Sequence, residues 1–380
     1  MDQHNWYQID HIDQLDTPVL VVYPERVAAN IRTAIEMAGS ASRLRPHVKT
    51  HKSPEVSKLM IDAGIHKFKC ATIAEAEMLA IAGASDILLA YQPQGPKATR
   101  LAALIKTYPH SRLSCLIDNE AAARELDKIF QGEGLQVPVY LDINVGMNRT
   151  GIAPGPEALA LYKTAAQAEG ITPIGLHAYD GHIRDIDWLE RKAKCDAAFD
   201  QLVNLQQAIV TAMTDTSSVI PFPAPRIIAG GSPTFSIHCH REGIECSPGT
   251  FVYWDKGYMD QCPEQHFLPA ALVVTRIISF PAPGRITTDL GHKSIAAENP
   301  IDRRVFFLNA EDLKPVGQSE EHLVLESDAA SPQLTRGAVL YGMPYHVCPT
   351  IALYERAITI DEGQITGEWH NSARDRKINI

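Results

Sequence analysis

Apolar positions along the chain fall into two textures. From "PVLVVY" at Pro18 onward, short aliphatic and β-branched runs alternate with segments whose apolar residues recur at spacing four, as in Val27, Ile31 and Ile35, the mark of one buried helix face. The run "RLRPHV" leads into Ser53, Pro54 and Glu55, a cap, a first-turn proline and an early acid, so a helix is predicted from Ser53 to about Ala63, closed by Gly64. "KFKCAT" precedes a helix whose Thr72 and Glu75 form a capping box. "DILLAYQ", "RLSCLIDN", "VPVYLDINV", "PIGLHAYDG" and "PRIIAGGS" follow, each but the last trailed by an amphipathic segment. Counted from "PVLVVY" these are eight strands. Eight strands alternating with helices predict an α/β chain closed into a (β/α)8 TIM barrel, because an open doubly wound sheet has fewer strands and sets its glycine fingerprint after the first. No G-x-G-x-x-G follows any of these runs, which sets dinucleotide binding aside.

After about residue 260 the texture changes to "ALVVTRIISF", "GRITTDL", "RRVFFLN", "HLVLES", "AVLYGMP" and "RAITI", separated by Gly, Pro, Asn and Asp. These predict a C-terminal antiparallel β domain. The expected division is a barrel over 16–258 and a β-rich domain over 259–380 that also takes in 1–15.

Composition narrows the partners. At 380 residues, 45% hydrophobic and 21% charged, the chain is an ordinary globular protein with ample core. A net charge of -10 and a pI near 5.8 exclude a phosphate-backbone binder, which needs clustered Lys and Arg, so the expected partner is a small molecule and no nucleic acid. The N-terminal "MDQHNWYQIDHIDQLD" lacks the form of a signal peptide, and no window approaches eighteen uninterrupted apolar residues; a cytoplasmic protein with no membrane partner is expected. Seven scattered cysteines fit reduced, buried thiols rather than a disulfide framework.

Candidate chemistry gathers at strand ends. Lys49, in "RLRPHVKTHKSPEV", falls just past a strand, where a barrel keeps its reactive groups; desolvation and neighbouring cations can leave its amine nucleophilic toward an aldehyde. A solvated lysine paired with an acid has the same local sequence. In "INVGMNRTGI", Arg149 could hold a phenolate oxygen, and Gly146 and Gly151 could admit a flat ligand, although a structural salt bridge accounts for the arginine equally. His177 and Tyr179 in "GLHAYDGHI" share a face and could meet an aromatic ring, or form a satisfied buried pair. Gly230, Gly231 and Ser232 follow the last barrel strand, a common phosphate cradle but a weak motif alone. His346 and Cys348, two apart, suit zinc, and the rival cluster His238, Cys239 and His240 has the same spacing, an accidental pair being the default reading of both.

Taken in order, "RPHVKTHK", "GMNRTG", "HAYDGH", "AGGS", "SPGTFVYWD", "DLGHKS" and "YHVCPT" resemble the D-threonine aldolase and D-serine dehydratase group, whose barrel and β domain are of alanine racemase type; the resemblance runs from about Asp16 to Ile360. It implies a pyridoxal 5'-phosphate (PLP) enzyme acting on β-hydroxy D-amino acids with a divalent metal, zinc or manganese, near the substrate hydroxyl. By that resemblance Lys49 would carry the cofactor, Arg149 would meet its ring oxygen, Tyr179 would reach the pyridine nitrogen, and Gly231 with Ser232 would bind phosphate. His346 and Cys348 would hold the metal, and His182 or Asp185 would serve as, or orient, a base, each being equally readable as a surface residue on the loop before the next helix. "HAYDGH", "YWDKGY" and "DLGHKSIAAE" look like the aldolase branch, so retro-aldol cleavage to glycine and an aldehyde is expected. Cys348 instead looks like the dehydratase His-x-Cys pair, which keeps open a D-serine or D-3-hydroxyaspartate dehydratase giving a 2-oxo acid and ammonia, and its thiolate shifts preference toward zinc. A racemase using Tyr253, Tyr258 or Tyr341 as second base, and a non-catalytic PLP carrier, are the further alternatives. The resemblance also implies a homodimer.

Overall fold

The computed structural model describes residues 5–214, 222–327 and 334–380. They form two compact units, one of Ala34–Lys49, Ser57–Gly249 and Asp375–Ile380, the other of the residues up to Thr33 with Thr50–Val56 and Thr250–Arg374.

In the first unit the strands Lys67–Cys70, Asp86–Leu89, Arg112–Ile117, Val137–Ile143, Ile171–Ala178, Arg226–Ala229 and Ile244–Cys246 run parallel, each beside the next. Residues 44–47 supply the eighth stave: Leu44 bridges Cys246 and His47 bridges Lys69, both parallel. The count of eight therefore holds, but its membership does not. "PVLVVY" lies in the other unit, where Val19–Val22 pairs antiparallel with Ala271–Ala282 and parallel with Arg356–Asp361. An unbroken apolar run reads the same in any strand buried on both faces, whereas Ile244–Cys246 is three residues long and centred on Glu245, too short to show a period.

The local signals act as expected. Thr72 Oγ1 accepts from Glu75 N at 3.1 Å, and the Glu75 carboxylate accepts from Ala71 N at 2.6 Å, one residue before the cap itself. The helix Pro54–Asp62 starts where its proline and acid place it. Inside the barrel Leu88, Leu116, Tyr140 and Ile228 form one buried cluster, each contributing about 1.5–3 kcal/mol by leaving water. At the N-terminal ends of the strands a fully buried Arg45 joins Glu245 at 2.6 Å and Asp86 at 2.7 Å, and Lys67 meets the other Glu245 oxygen at 2.6 Å. Such charges survive burial only when paired.

In the second unit a sheet runs Lys314–Gln318, Leu323–Glu326, Arg285–Thr288, Ala271–Ala282, Val19–Val22, Arg356–Asp361, Gln364–His370, and Val305–Phe307 joins it through Val339–Pro344. All its pairings are antiparallel except that of Val19–Val22 with Arg356–Asp361. Its core gathers Val21, Tyr23, Leu272, Val274, Tyr341, Met343 and Ile360. Among the described residues no helix is long and apolar enough to cross a membrane, and none of the seven cysteines is in a disulfide, six being buried.

Candidate active site

The chemistry of the barrel unit collects at the C-terminal ends of its strands, around the ring of Tyr179. Lys49 follows the 44–47 stave in a turn whose backbone N–H donates to His47 Nδ1 at 3.1 Å, and its Nζ lies 5.9 Å from the ring centroid. Arg149, from the loop after Val137–Ile143, places Cζ 4.8 Å from the same centroid, within range of a cation–π contact. Lys69 Nζ is also 5.9 Å away. The ring lies against backbone that has no room for a side chain. A β-carbon on Gly181 would stand 2.2 Å from Tyr179 Cζ and Oη, and one on Gly231 would stand 2.7 Å from Cε2.

Beneath the ring three strands supply a buried chain of polar groups. His177 Nδ1 is 2.8 Å from Asp142 Oδ1, and His177 Nε2 is 3.4 Å from Lys69 Nζ. Burial tends to raise the Asp142 pKa, but hydrogen bonds from His177, Thr150 and Gln92 outweigh it and hold the carboxyl below its ordinary value. Burial, then the charge of Lys69, lowers the pKa of His177. An ionised carboxylate can only accept, so Nδ1–H donates to Asp142 and Nε2 is left to accept from the lysine. Burial, then the charge of Lys49, brings Lys69 down to about 7.

The turn after Arg226–Ala229 is held from below. Gly230, at φ +81°, donates its N–H to Ala178 at 3.0 Å, and Gly231 donates to Thr234 Oγ1 at 3.3 Å. Ser232 Oγ accepts from Gly249 N at 3.4 Å. Thr234 in turn donates to Asp180 Oδ1 at 2.7 Å, while His238 Nε2 donates to Asp180 Oδ2 at 2.8 Å. Cys195 completes this buried set, 3.4 Å from His238 Nε2 and 3.7 Å from Asp180; Asp180, Cys195 and His238 together are a donor set able to take a metal ion. Burial, with Asp180 beside it, pushes the Cys195 thiol up to about 12. The rival cluster His238, Cys239 and His240 does not converge: the helix Phe235–His238 buries His238 and has Cys239 as its C-cap, and His240 points to solvent.

His182 and Asp185 line an open cavity of about 510 Å³ with Val145 and Lys194. His182 is exposed and sits against Gly146, whose β-carbon would lie 2.7 Å from Nε2. Asp185 is ion-paired with Lys194, and that hydrogen bond lowers its pKa, which makes it a weaker base.

His346 and Cys348 belong to the second unit, at the cap and first turn of the helix Val347–Ala352. Cys348 Sγ is 3.1 Å from Thr50 Oγ1 and 3.7 Å from Thr250 Oγ1. His346 Nδ1 contacts the Glu298 carboxylate at 2.5 Å. Burial works to lower the His346 pKa, but Cys348 and Glu298 raise it to about 9. Asp255 fixes the segment by accepting from Val347 N at 3.0 Å, and burial raises its pKa to about 6.

Sequence reasoning missed Lys69, Asp142, Asp180 and Glu298. A signal existed for two of them: Asp142 and Lys69 are charges set within strands that are otherwise apolar at that end, and charges so placed are rarely buried without a purpose.

Comparison with known proteins places the chain in a family. The alanine racemase N-terminal domain family matches residues 22–256, and a putative serine dehydratase domain matches 270–360. A D-threonine aldolase of Arthrobacter sp is 27% identical, over 96% of this chain and 94% of the relative. A 3-hydroxy-D-aspartate aldolase of Paracoccus denitrificans (strain Pd 1222) is 26% identical, over 96% and 93%. The crystal structure of D-threonine aldolase from Filomicrobium marinum aligns with a TM-score of 0.84 at 26% identity, covering 94% of this chain and 95% of that one. With well over half of its length matched, the chain belongs to the alanine racemase N-terminal domain family.

Proposed function

We propose that this protein is a PLP- and divalent-metal-dependent lyase that cleaves β-hydroxy D-amino acids, D-threonine among them, to glycine and an aldehyde. The observation that carries this reading is the set of three cations, Lys49, Lys69 and Arg149, around one aromatic ring. Asp142 and Asp180 are the nearby carboxylates, so with the lysines and Arg149 charged the pocket still holds a net positive charge, which suits a phosphate ester with a phenolate oxygen. Gly231, whose backbone packs against the Tyr179 ring, and the left-handed Gly230 form a turn without side chains that suits close approach by an anionic ligand.

In this reading Lys49 would hold the cofactor through its aldehyde. Arg149 would meet the phenolate oxygen, Tyr179 the pyridine nitrogen, His177 would pack against the ring, and Gly230, Gly231 and Ser232 would hold the phosphate. PLP, when bound, supplies an electron-withdrawing ring that weakens the bonds at Cα. His346 and Cys348 would hold the metal, which supplies a Lewis acid that lowers the pKa of a hydroxyl. Their chemistry fits: Glu298 on Nδ1 fixes the imidazole tautomer as outer-shell carboxylates do around metals, and the thiolate favours zinc over manganese. Of the two candidate bases His182 is the better placed, Asp185 being committed to Lys194. The working form is a cytoplasmic homodimer.

A dehydratase reading uses the same groups, and the His346/Cys348 pair within the putative serine dehydratase match favours it. Metal-loaded holoprotein is incubated with D-threonine and D-serine. Glycine plus acetaldehyde supports the aldolase; 2-oxobutanoate or pyruvate with ammonia supports the dehydratase; a chelator abolishes either. Isomerised amino acid alone sinks the lyase reading.

A further inference from the structure

Two threonines converge on the sulfur of Cys348. Thr50 Oγ1 lies 3.1 Å from Cys348 Sγ and Thr250 Oγ1 lies 3.7 Å from it, and the two threonines are 0% and 4% exposed. They stand in "RPHVKTHK" and "SPGTFVYWD", and the proposed reaction uses neither. A hydroxyl taken out of water needs a partner that can hold it. A neutral thiol is only a weak donor and a weak acceptor, so two buried hydroxyls gathered on one would both be left with weak bonds. A thiolate accepts from both, and each bond becomes charge-assisted. The His346 imidazole is hydrogen-bonded to the same sulfur and, through Nδ1, to Glu298. The two hydroxyls come from elsewhere in the unit: Thr50 lies in the turn before the helix Pro54–Asp62, and Thr250 opens the 3-10 turn Thr250–Val252. The sulfur is thus held from outside the helix that bears it.

We propose that Thr50 and Thr250 are positioning residues whose hydroxyls donate to the Cys348 thiolate, fixing the sulfur where it meets a metal ion and drawing negative charge away from that ion. The inference rests on His346 and Cys348 holding the metal. A thiolate gives more charge to a metal than a carboxylate does, which weakens the metal as a Lewis acid toward a substrate hydroxyl. Hydrogen bonds to the ligating sulfur oppose that transfer, as they do at other metal–sulfur sites. The two threonines therefore let a sulfur ligand serve a reaction that needs an acidic metal.

Cobalt(II) is the probe, since a thiolate bound to it gives a charge-transfer band whose energy follows the electron density on sulfur. Full-length protein freed of metal and cofactor is titrated with cobalt as wild type, Thr50→Val, Thr250→Val, Thr50→Ser and Cys348→Ala. Wild type and Thr50→Ser, which keeps the hydroxyl, should share one band position. Each valine variant keeps the branched shape without the hydroxyl, and should move the band to longer wavelength and weaken cobalt binding about 10- to 100-fold. A valine variant that does not fold is replaced by alanine at the same position, read in the same way. Band positions equal to wild type in both hydroxyl-free variants overturn the proposal even if affinity falls, because a merely structural role would give that result. A band that persists in Cys348→Ala, or no band in wild type, is a different outcome, which removes Cys348 from the metal and this inference with it.

Discussion

Gly231→Ala isolates the packing on which the pocket depends. The added β-carbon would stand 2.7 Å from Tyr179 Cε2, with Cδ2 at 3.4 Å and Cζ at 3.7 Å. Carbon atoms rest at about 3.5–4.0 Å, so ring or turn must give by about 1 Å. Overpacking of this kind costs about 1–3 kcal/mol, which is roughly a 5- to 150-fold loss in affinity for a ligand that needs both groups where they stand. The assay is a spectral titration of the apo-protein with PLP in wild type, Gly231→Ala, Tyr179→Ala and the double variant. Removing the ring removes the obstacle, so Gly231→Ala should change affinity less than about twofold in the Tyr179→Ala background, leaving a coupling of about 1–3 kcal/mol. Gly132→Ala, at a helix end with nothing within 4 Å of the new carbon, is the control and should leave affinity unchanged. An undiminished Gly231→Ala penalty in the absence of the Tyr179 ring would refute the reasoning.

Lys69 titrates near 7 when folded and near 10.4 when unfolded. Between those values the folded chain binds fewer protons, so wild-type stability rises with pH across this window; Lys69→Met should flatten the rise by on the order of a few kcal/mol in denaturant unfolding at about pH 7 and pH 9.5, and equal slopes would count against the assigned shift. Arg45→Met strands Asp86 and part of Glu245 inside the barrel and should cost about 3–5 kcal/mol in denaturant unfolding; an unchanged unfolding midpoint would show the pairing is not needed. Glu298→Gln should weaken metal retention about 10- to 100-fold in chelator competition, and unchanged retention would remove Glu298 from the site. Metal content should fall in Cys348→Ala and persist in Cys195→Ala; the reverse would transfer the site to Asp180, Cys195 and His238.

What the sequence carried was local. The Thr72 cap, the Pro54 start and the alternation of strand and helix each depend on residues within a turn or two, and each is found in place. The edge strands Lys314–Gln318 and Gln364–His370 escaped notice because they are largely solvent-facing and carry no buried stripe. The motif positions around Tyr179 were visible because each lies at a strand end, but the Lys69, His177 and Asp142 chain was not. Its members are 108 and 35 residues apart and meet only when the barrel closes. Spacing also misled at His346 and Cys348, read as one face of an extended segment, where the structure has the cap and first turn of a helix.

The stave bearing Lys49 is fastened to its neighbours by the bridges at Leu44 and His47, by backbone hydrogen bonds of Arg45 N, His47 N, Val48 N and Lys69 N, and by the Arg45 clasp. All of these engage residues 44–48, so a stretch exchanged from another barrel of this type would have to keep Arg45 and this backbone pairing on both sides. Position 49 thus rides on a segment separate from the seven continuous strands, which would stay as the chassis when that segment is exchanged.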